Sequence, residues 1–213
     1  INTMQLCVLN LDYFVFQFGI NCKMIYYLCN IITTKLKKLF RIFLFFMMIA
    51  CETKLKASNC IPAGTTVTLT RQSEVDSFPI NYPGCDVVEG DLVISGDDIV
   101  NLNGLIGLKR VLNYLRIINN PLLINLSGLN NIIFVNDLEI NTNNALTSLN
   151  GLNKLDTTWY FDIINNDKLI NFLGLDNLKT IGYFEVSYNE LLQNFAGLKS
   201  LKTTGTRFTV SEN

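Results

Sequence analysis

Residues 136–158 read NDLEINTNNALTSLNGLNKLDTT, and this 23-residue unit decides the fold because it recurs along the second half of the chain. The recurrence is clearest in two apolar ladders, to which the unit contributes Leu138 and Ile140. The first ladder consists of Leu92, Leu115, Leu138, Phe161, Phe184 and Phe208, and the second of Ile94, Ile117, Ile140, Ile163, Val186 and Val210. Repeats of this length predict a solenoid, in which each unit buries its apolar edge only against its neighbours.

Each unit begins with a short strand. Polar and apolar residues alternate from Asp137 to Asn141, which is the pattern of a half-buried strand, with Leu138 and Ile140 pointing inward. No stretch of about ten residues has helical spacing and caps, so the return leg is predicted to be extended or a single helical turn. Asparagines tolerate the left-handed conformation, and we therefore assign them to corners rather than to a ligand: Asn119, Asn120, Asn143, Asn165, Asn166 and Asn189. Equivalent strands then stack into a parallel sheet with rungs ~4.8 Å apart.

Composition narrows the classes of function. The 213 residues carry a net charge of -1, but residues 1–50 hold five basic residues and only one acid, Asp12. Subtracting them from the totals of 17 basic and 18 acidic residues leaves 12 and 17, a net charge of -5 for the remainder. An acidic repeat region argues against a nucleic-acid partner. Histidine is absent, which removes the commonest general base and metal ligand, and we predict no cofactor.

The N-terminal quarter has the pattern of an export signal. A basic run from Thr33 to Arg41 leads into nine apolar residues, Ile42 to Ala50, and then Cys51. Nine apolar residues are too few for a helix that spans a membrane, which takes about 20, and the pattern is typical of a secretory signal peptide. A plain signal anchor and a buried apolar segment remain the alternatives. The natural start is expected at Met4 or Met24.

The end of this segment, Met48-Ile49-Ala50-Cys51, resembles the lipobox of bacterial lipoproteins, although Met48 stands where Leu is usual. The resemblance implies that Cys51 is acylated and holds the protein at a membrane surface. We therefore expect an exported, lipid-anchored protein at a bacterial cell surface or outer membrane. The predicted organisation is a leader and signal peptide at 1–50, a linker and disulfide-stapled N-terminal cap at 51–89, and a solenoid of more than five repeats at 90–213, truncated at its C-terminus.

Two cysteines remain if Cys51 is acylated and the earlier ones are cleaved away. They are Cys60 and Cys85, which flank the segment before the first repeat. In an oxidising compartment they are expected to form one disulfide that staples an N-terminal cap. A metal or redox site is the alternative, but two cysteines without histidine make a poor metal site.

The repeat also resembles a known family. Gly90-Asp91-Leu92-Val93-Ile94, the stretch from Asn143 to Leu152, and Leu178-Lys179-Thr180-Ile181-Gly182 are similar to the receptor L-domain-like repeats of bacterial surface lipoproteins. The resemblance covers residues 58–213 and implies a leucine-rich, right-handed solenoid. It also implies a surface or binding protein, and the residues of the repeat themselves lead us to expect no enzyme activity.

The repeat register identifies the side chains that point away from the core. The central outward position of successive strands is occupied by Val93, Arg116, Glu139, Asp162, Glu185 and Thr209, and the position two residues earlier by Asp91, Tyr114, Asp137, Tyr160, Tyr183 and Arg207. Acids at adjacent rungs repel one another, and tyrosines are good material for a binding surface. The predicted binding face, called the outward face below, comprises Tyr114, Arg116, Asp137, Glu139, Tyr160, Asp162, Tyr183 and Glu185.

Four interpretations of the outward face stay open. In the first, the outward face binds a surface protein or a glycan. In the second, it is a solvated sheet surface with incidental charge. In the third, the solenoid is a passive spacer that holds a missing C-terminal domain off the membrane. A polysaccharide-cleaving enzyme with Glu139, Asp162 and Glu185 as its carboxylates is the fourth. The units hold at 23 residues without a long insertion to wall a cleft, which weighs against that enzyme, as does the expectation that only Arg116 places a cation beside the trio.

Overall fold

The computed structural model of the chain describes residues 58–213, with side chains from Cys60 onward. The predicted leader, signal peptide and lipidation site at Cys51 lie outside these residues. The described part begins with β1 (Ser58–Ile61), β2 (Thr66–Leu69), helix α1 (Gln72–Asn81), β3 (Cys85–Val88) and β4 (Asp91–Ile94). A short 3₁₀ turn (Asn103–Leu105) and five longer strands follow: β5 (Arg110–Ile118), β6 (Phe134–Asn141), β7 (Thr157–Ile164), β8 (Thr180–Ser187) and β9 (Thr203–Ser211).

All nine strands pair in parallel and form one sheet. Strand β1 pairs with β3, and β2 pairs with β4. Both β3 and β4 then pair with the single long strand β5. Each of the first two rungs therefore contains two short strands where the later rungs contain one long strand. Residues 58–213 therefore make about seven rungs roughly 23 residues apart, the architecture of a right-handed parallel β-helix, as the sequence predicted. The segment assigned to the linker and cap contributes β1, β2 and β3 to this same sheet.

From β4 to β8 the two apolar ladders lie in the core, whereas their last members on β9, Phe208 and Val210, are 42% and 40% exposed. Leu92, Leu115 and Leu138 pair in register across β4, β5 and β6, and their side chains are at most 2% exposed. Phe161 and Phe184 continue the ladder with ring centroids 5.6 Å apart. Inward side chains of neighbouring rungs thus bury one another, because no rung has a complete core of its own.

The corners after the strands are built from asparagine, as predicted. Asn120, Asn143, Asn166 and Asn189 are fully buried and stack in one column, in which each Nδ2 donates to the Oδ1 of the next residue at 2.9–3.3 Å. Asn189 extends the column to Asn213 at 2.9 Å. The same amides also donate to main-chain carbonyls, so the column joins successive rungs by paired polar groups.

In β6, β7 and β8 the alternation of inward and outward residues breaks near the middle of the strand, and this break is called the bend below. In β6 the inward residues Val135 and Leu138 are separated by two outward residues, Asn136 and Asp137, so the alternation slips by one position. The break between β3 and β4 lies at the same place in the second rung. The outward face begins at this bend and runs to the end of each strand.

Candidate functional site

The structure brings all eight predicted residues of the outward face onto one surface. Tyr114, Asp137, Tyr160 and Tyr183 pair successively across β5 to β8, and Arg116, Glu139, Asp162 and Glu185 form the parallel column beside them. Strand β9 extends the two columns with Arg207 and Thr209. The predicted register is therefore confirmed. Adjacent residues in a column are spaced by the ~4.8 Å distance between strands.

One end of the outward face is organised around Arg116. Its guanidinium carbon lies 4.5 Å from the centre of the Tyr114 ring, a cation–π arrangement. Its Nε lies 3.3 Å from Oε2 of Glu139, at an angle that makes no hydrogen bond, so this contact is an attraction between charges. A tyrosine, an arginine and a carboxylate thus form a first trio.

The other end repeats the same combination. The guanidinium carbon of Arg207 lies 5.2 Å from the centre of the Tyr183 ring, and its Nη2 lies 3.9 Å from Oε2 of Glu185. The Tyr183 hydroxyl donates a 2.7 Å hydrogen bond to the same oxygen. The expectation that only Arg116 stands beside the acidic trio was wrong, because Arg207 reaches diagonally from the next rung to Glu185.

Asp162 lies between these two groups, each of which consists of a tyrosine, an arginine and a glutamate. Within residues 58–213 its Oδ1 is shielded from solvent and accepts no hydrogen bond. Partial burial raises the pKa of this carboxyl from 3.8 to about 6, and repulsion from Glu185, Glu139 and Asp137 adds to the rise, whereas Arg207 opposes it. Asp162 is consequently the least compensated negative charge of the outward face.

Burial also raises the pKa of Asp137, on the neighbouring rung. A hydrogen bond from the Tyr114 side chain and the positive charge of Arg116 act against the rise. Counting Asp91 and Arg207 with the eight residues, the surface has five carboxylates against two guanidinium groups, a net charge of -3. This balance favours a cationic ligand over an anionic one.

Six of the eight predicted residues line a shallow depression of about 340 Å³. Its lining consists of Tyr114, Arg116, Asp137, Leu138, Glu139, Tyr160 and Asp162. Tyr160 is 55% exposed and its ring centroid lies 5.5 Å from that of Tyr183. The depression can therefore offer an aromatic surface and several carboxylates to the same group.

Trp159 belongs to this surface, and sequence reasoning missed it. Tyr160 points outward, so strict alternation would turn its neighbour Trp159 inward. The bend in β7 instead leaves both side chains on the outer surface, and Trp159 is 53% exposed. Its indole packs against Gly182 of the next rung, where a β-carbon would stand 2.8 Å from the ring. The signal available in the sequence was that Trp159 is the only tryptophan of the chain.

A second depression, of about 360 Å³, lies between α1 and the 3₁₀ turn. Its walls are mainly apolar, with Phe78, Tyr82 and Leu105 among them, and its two charged side chains, Asp86 and Lys109, pair with each other at 3.1 Å. None of the eight predicted residues contributes to it. We find no convergent polar groups there that would select a ligand.

The predicted disulfide is present. Cys60 and Cys85 are joined, with Cα atoms 5.3 Å apart, and tie β1 to β3. Within residues 58–213, no group of three or more Asp, Glu or Cys side chains is arranged to hold a metal ion. The same part of the chain contains no helix long and apolar enough to cross a membrane.

Comparison with known proteins gives no match: no protein-family model, no curated protein and no solved structure matches the chain at a significant level. The resemblance to receptor L-domain-like repeats stays a prediction from the sequence.

Proposed function

We propose that this chain is an exported, lipid-anchored surface protein that binds a protein or glycan partner through the outward face of its parallel sheet. The observation that carries the proposal is the collection of three tyrosines and four carboxylates on four successive rungs, of which two tyrosines and three carboxylates line one depression. Rigid aromatic side chains supply contact area at a low entropy loss, and the carboxylates supply charge and hydrogen-bond acceptors. Recognition of this kind is non-covalent and uses no cofactor.

Two features support export and anchoring. A disulfide between Cys60 and Cys85 is stable in an oxidising compartment outside the cytoplasm. The segment Met48–Cys51 supplies the acylation site that the lipobox resemblance implies. Replacing Cys51 by Ser in the full chain should abolish acylation and move the protein from the detergent phase to the aqueous phase. Cys29→Ser serves as the control and should change neither the acylation nor the partition into detergent. Acylation that persists in Cys51→Ser would contradict the proposed anchor.

A binding screen tests the outward face. The full chain is applied to an array of glycans and to a panel of surface proteins, together with a face variant in which Glu139, Asp162 and Glu185 are all replaced by Ser. A charge-matched control variant carries Asp156→Ser, Asp176→Ser and Glu190→Ser, which remove three acids from other parts of the solenoid. We expect ligands that bind the parent and the control variant but not the face variant.

The alternative is a passive spacer, which the uniform 23-residue rungs favour, because they carry no long insertion that would shape a deeper site. A spacer predicts no ligand in the screen, with all three proteins folded. Cleavage of an acidic glycan that disappears in the face variant would instead indicate the polysaccharide-cleaving enzyme.

A further inference from the structure

The outward face contains three places where a tyrosine and a carboxylate lie together. The first is Tyr114 with Glu139 and the third is Tyr183 with Glu185, and an arginine of this chain occupies each. The second place, between them, consists of Tyr160 and Asp162 on strand β7. Within the described part of the chain no arginine or lysine stacks on Tyr160 or pairs with Asp162.

Three observations make the middle place different from an ordinary patch of surface charge. Tyr160 is 55% exposed, whereas the rings of Tyr114 and Tyr183 each have a guanidinium over them. Asp162 carries a shielded oxygen without a hydrogen-bond donor. Both residues line the depression of about 340 Å³, and Asp162 as a whole is only partly buried, so a side chain from outside can reach the Tyr160 ring and the unshielded part of Asp162.

We infer that the place formed by Tyr160 and Asp162 binds an arginine side chain presented by an extended, basic segment of a partner protein. The inference rests on the proposed function, because it names the class of ligand for the same face. A guanidinium is the group that the chain itself uses at the two flanking places. It stacks on an aromatic ring and pairs with a carboxylate at the same time, which an ammonium group does less well.

The charge of the surrounding surface agrees with this ligand. The other charged groups around the middle place are Asp137 and Glu139 on β6, Glu185 on β8, Arg116 on β5 and Arg207 on β9. The two arginines already contact Glu139 and Glu185, so the net charge that faces the ligand is negative. A neutral glycan would leave this charge uncompensated, whereas a basic peptide compensates it.

The test uses a synthetic heptapeptide with blocked ends, Ser-Arg-Ser-Arg-Ser-Arg-Ser, and a second peptide with citrulline in place of each arginine. Alternate side chains of an extended peptide point to the same side, and citrulline keeps the shape of arginine without its charge. Affinity for the full chain is measured by calorimetry in about 150 mM salt, at which the Debye length is ~8 Å and distant charges are largely screened. Fluorescence of Trp159, the only tryptophan, reports binding beside Tyr160.

Three variants localise the site. Asp162→Asn removes the charge with little change of shape. Asp137→Arg puts an arginine of the chain beside Tyr160 in the register, on the preceding rung, and should occupy the place itself; Arg207 lies beside Tyr183 in the same way, but on the following rung. Asp176→Asn, an acid that pairs with Lys199 away from the outward face, is the control for the loss of one negative charge.

We expect the arginine peptide to bind and to change the Trp159 emission, and the citrulline peptide to bind at least about ten-fold more weakly. Asp162→Asn and Asp137→Arg should each weaken the arginine peptide by about ten-fold, and Asp176→Asn by less than about two-fold. Circular dichroism verifies that each variant is folded.

Two results would overturn the inference. One is no binding of the arginine peptide to the folded parent. The other is equal weakening by Asp162→Asn and Asp176→Asn, which would mean attraction by net charge alone. If the screen finds a glycan that the face variant loses while the arginine peptide does not bind, the proposed function stands and this inference fails. If no ligand depends on the outward face, both fail.

Discussion

Two polar residues show how differently this fold treats buried polar groups. Asn143 is fully buried, but its amide donates to the carbonyls of Ile117 and Asn141 and to Asn166, at 2.8, 3.2 and 3.2 Å. Asp162 lies on the opposite side of the sheet with a shielded oxygen that no donor satisfies. The first arrangement stabilises the corner, and the second destabilises the strand while it leaves a charge available for a ligand.

Asn143→Ala should lower the free energy of unfolding by about 3 kcal/mol, because it removes several hydrogen bonds at once and leaves buried carbonyls without donors. Equilibrium urea denaturation measures the loss. The exposed neighbour Asn144 is the matched control, and its replacement by Ala should change the free energy by no more than about 0.5 kcal/mol. Equal effects at the two positions would contradict a structural role for the asparagine column.

Asp162→Asn should raise the free energy of unfolding at pH 7.5. The pKa of Asp162 is raised in the folded chain from 3.8 to about 6, so its ionised form is disfavoured there. The destabilisation is absent below about pH 3.8 and complete above about pH 6. After allowance for solvent screening we expect a gain of about 1 kcal/mol at pH 7.5.

The gain from Asp162→Asn should shrink at pH 4.5, where the parent carboxyl is largely protonated when folded. Urea titrations of parent and variant at the two pH values measure this. A gain that is the same at both would mean that the carboxyl has an ordinary pKa.

At the scale of the strand and its turn, close packing of successive rungs depends on the glycine of a Gly-Leu pair, which recurs every 23 residues from Gly128-Leu129 to Gly197-Leu198. Gly128, Gly151, Gly174 and Gly197 all have φ between 108° and 122°. A β-carbon at Gly151 would overlap the carbonyl group of Leu126 on the preceding rung. The recurring Gly-Leu pairs therefore mark contacts between main chains of neighbouring rungs.

Gly151→Ala should destabilise the fold by about 3 kcal/mol or more, since it combines an unfavourable φ with a main-chain clash. Gly64 is the control: its φ is 77°, but a β-carbon there meets nothing within 4 Å, so Gly64→Ala should cost only about 1 kcal/mol. Thermal and urea unfolding compare the two. If Gly151→Ala and Gly64→Ala lower the free energy of unfolding by the same amount, strain at positive φ, and not the packing of rungs, is the reason for glycine at position 151.

The sequence predicted the elements well wherever the 23-residue period and the alternation were enough. The strand register and the composition of the outward face followed from the two ladders. Alternation failed at the bend, which exposes Trp159 beside Tyr160. It also concealed the pairing of Arg207 with Glu185, because diagonal contacts across rungs depend on side-chain conformation and not on register.

The sequence predicted that asparagines form the corners, but it did not predict which residues adopt the left-handed conformation there. Asn119, Thr142, Asn165 and Tyr188 share the left-handed conformation, with φ between 54° and 56°, and the buried column begins one residue later. Thr142 and Tyr188 give no composition signal for this conformation. Only their 23-residue spacing from Asn119 reveals the equivalence, so the period carries information that residue type does not.

At the scale of the whole molecule, the described part of the chain is a stack of rungs whose first turns are tied by a disulfide. Cys60 and Cys85 are 25 residues apart in sequence, and closing a loop of that size stabilises a fold by about 3 kcal/mol. Reductant should lower the Tm of the full chain by about 10 °C. The Cys60→Ser/Cys85→Ser double variant is the control, because its Tm should not respond to reductant, and an unchanged parent Tm would show that the link is not formed in solution.

The measurement that tests the central claim most directly is the affinity of parent, face variant and control variant for a ligand found in the screen. We predict that the control variant binds within about two-fold of the parent, whereas the loss of Glu139, Asp162 and Glu185 weakens binding by at least about 100-fold. A face variant that is folded and binds as tightly as the parent would show that the outward face does not recognise the partner.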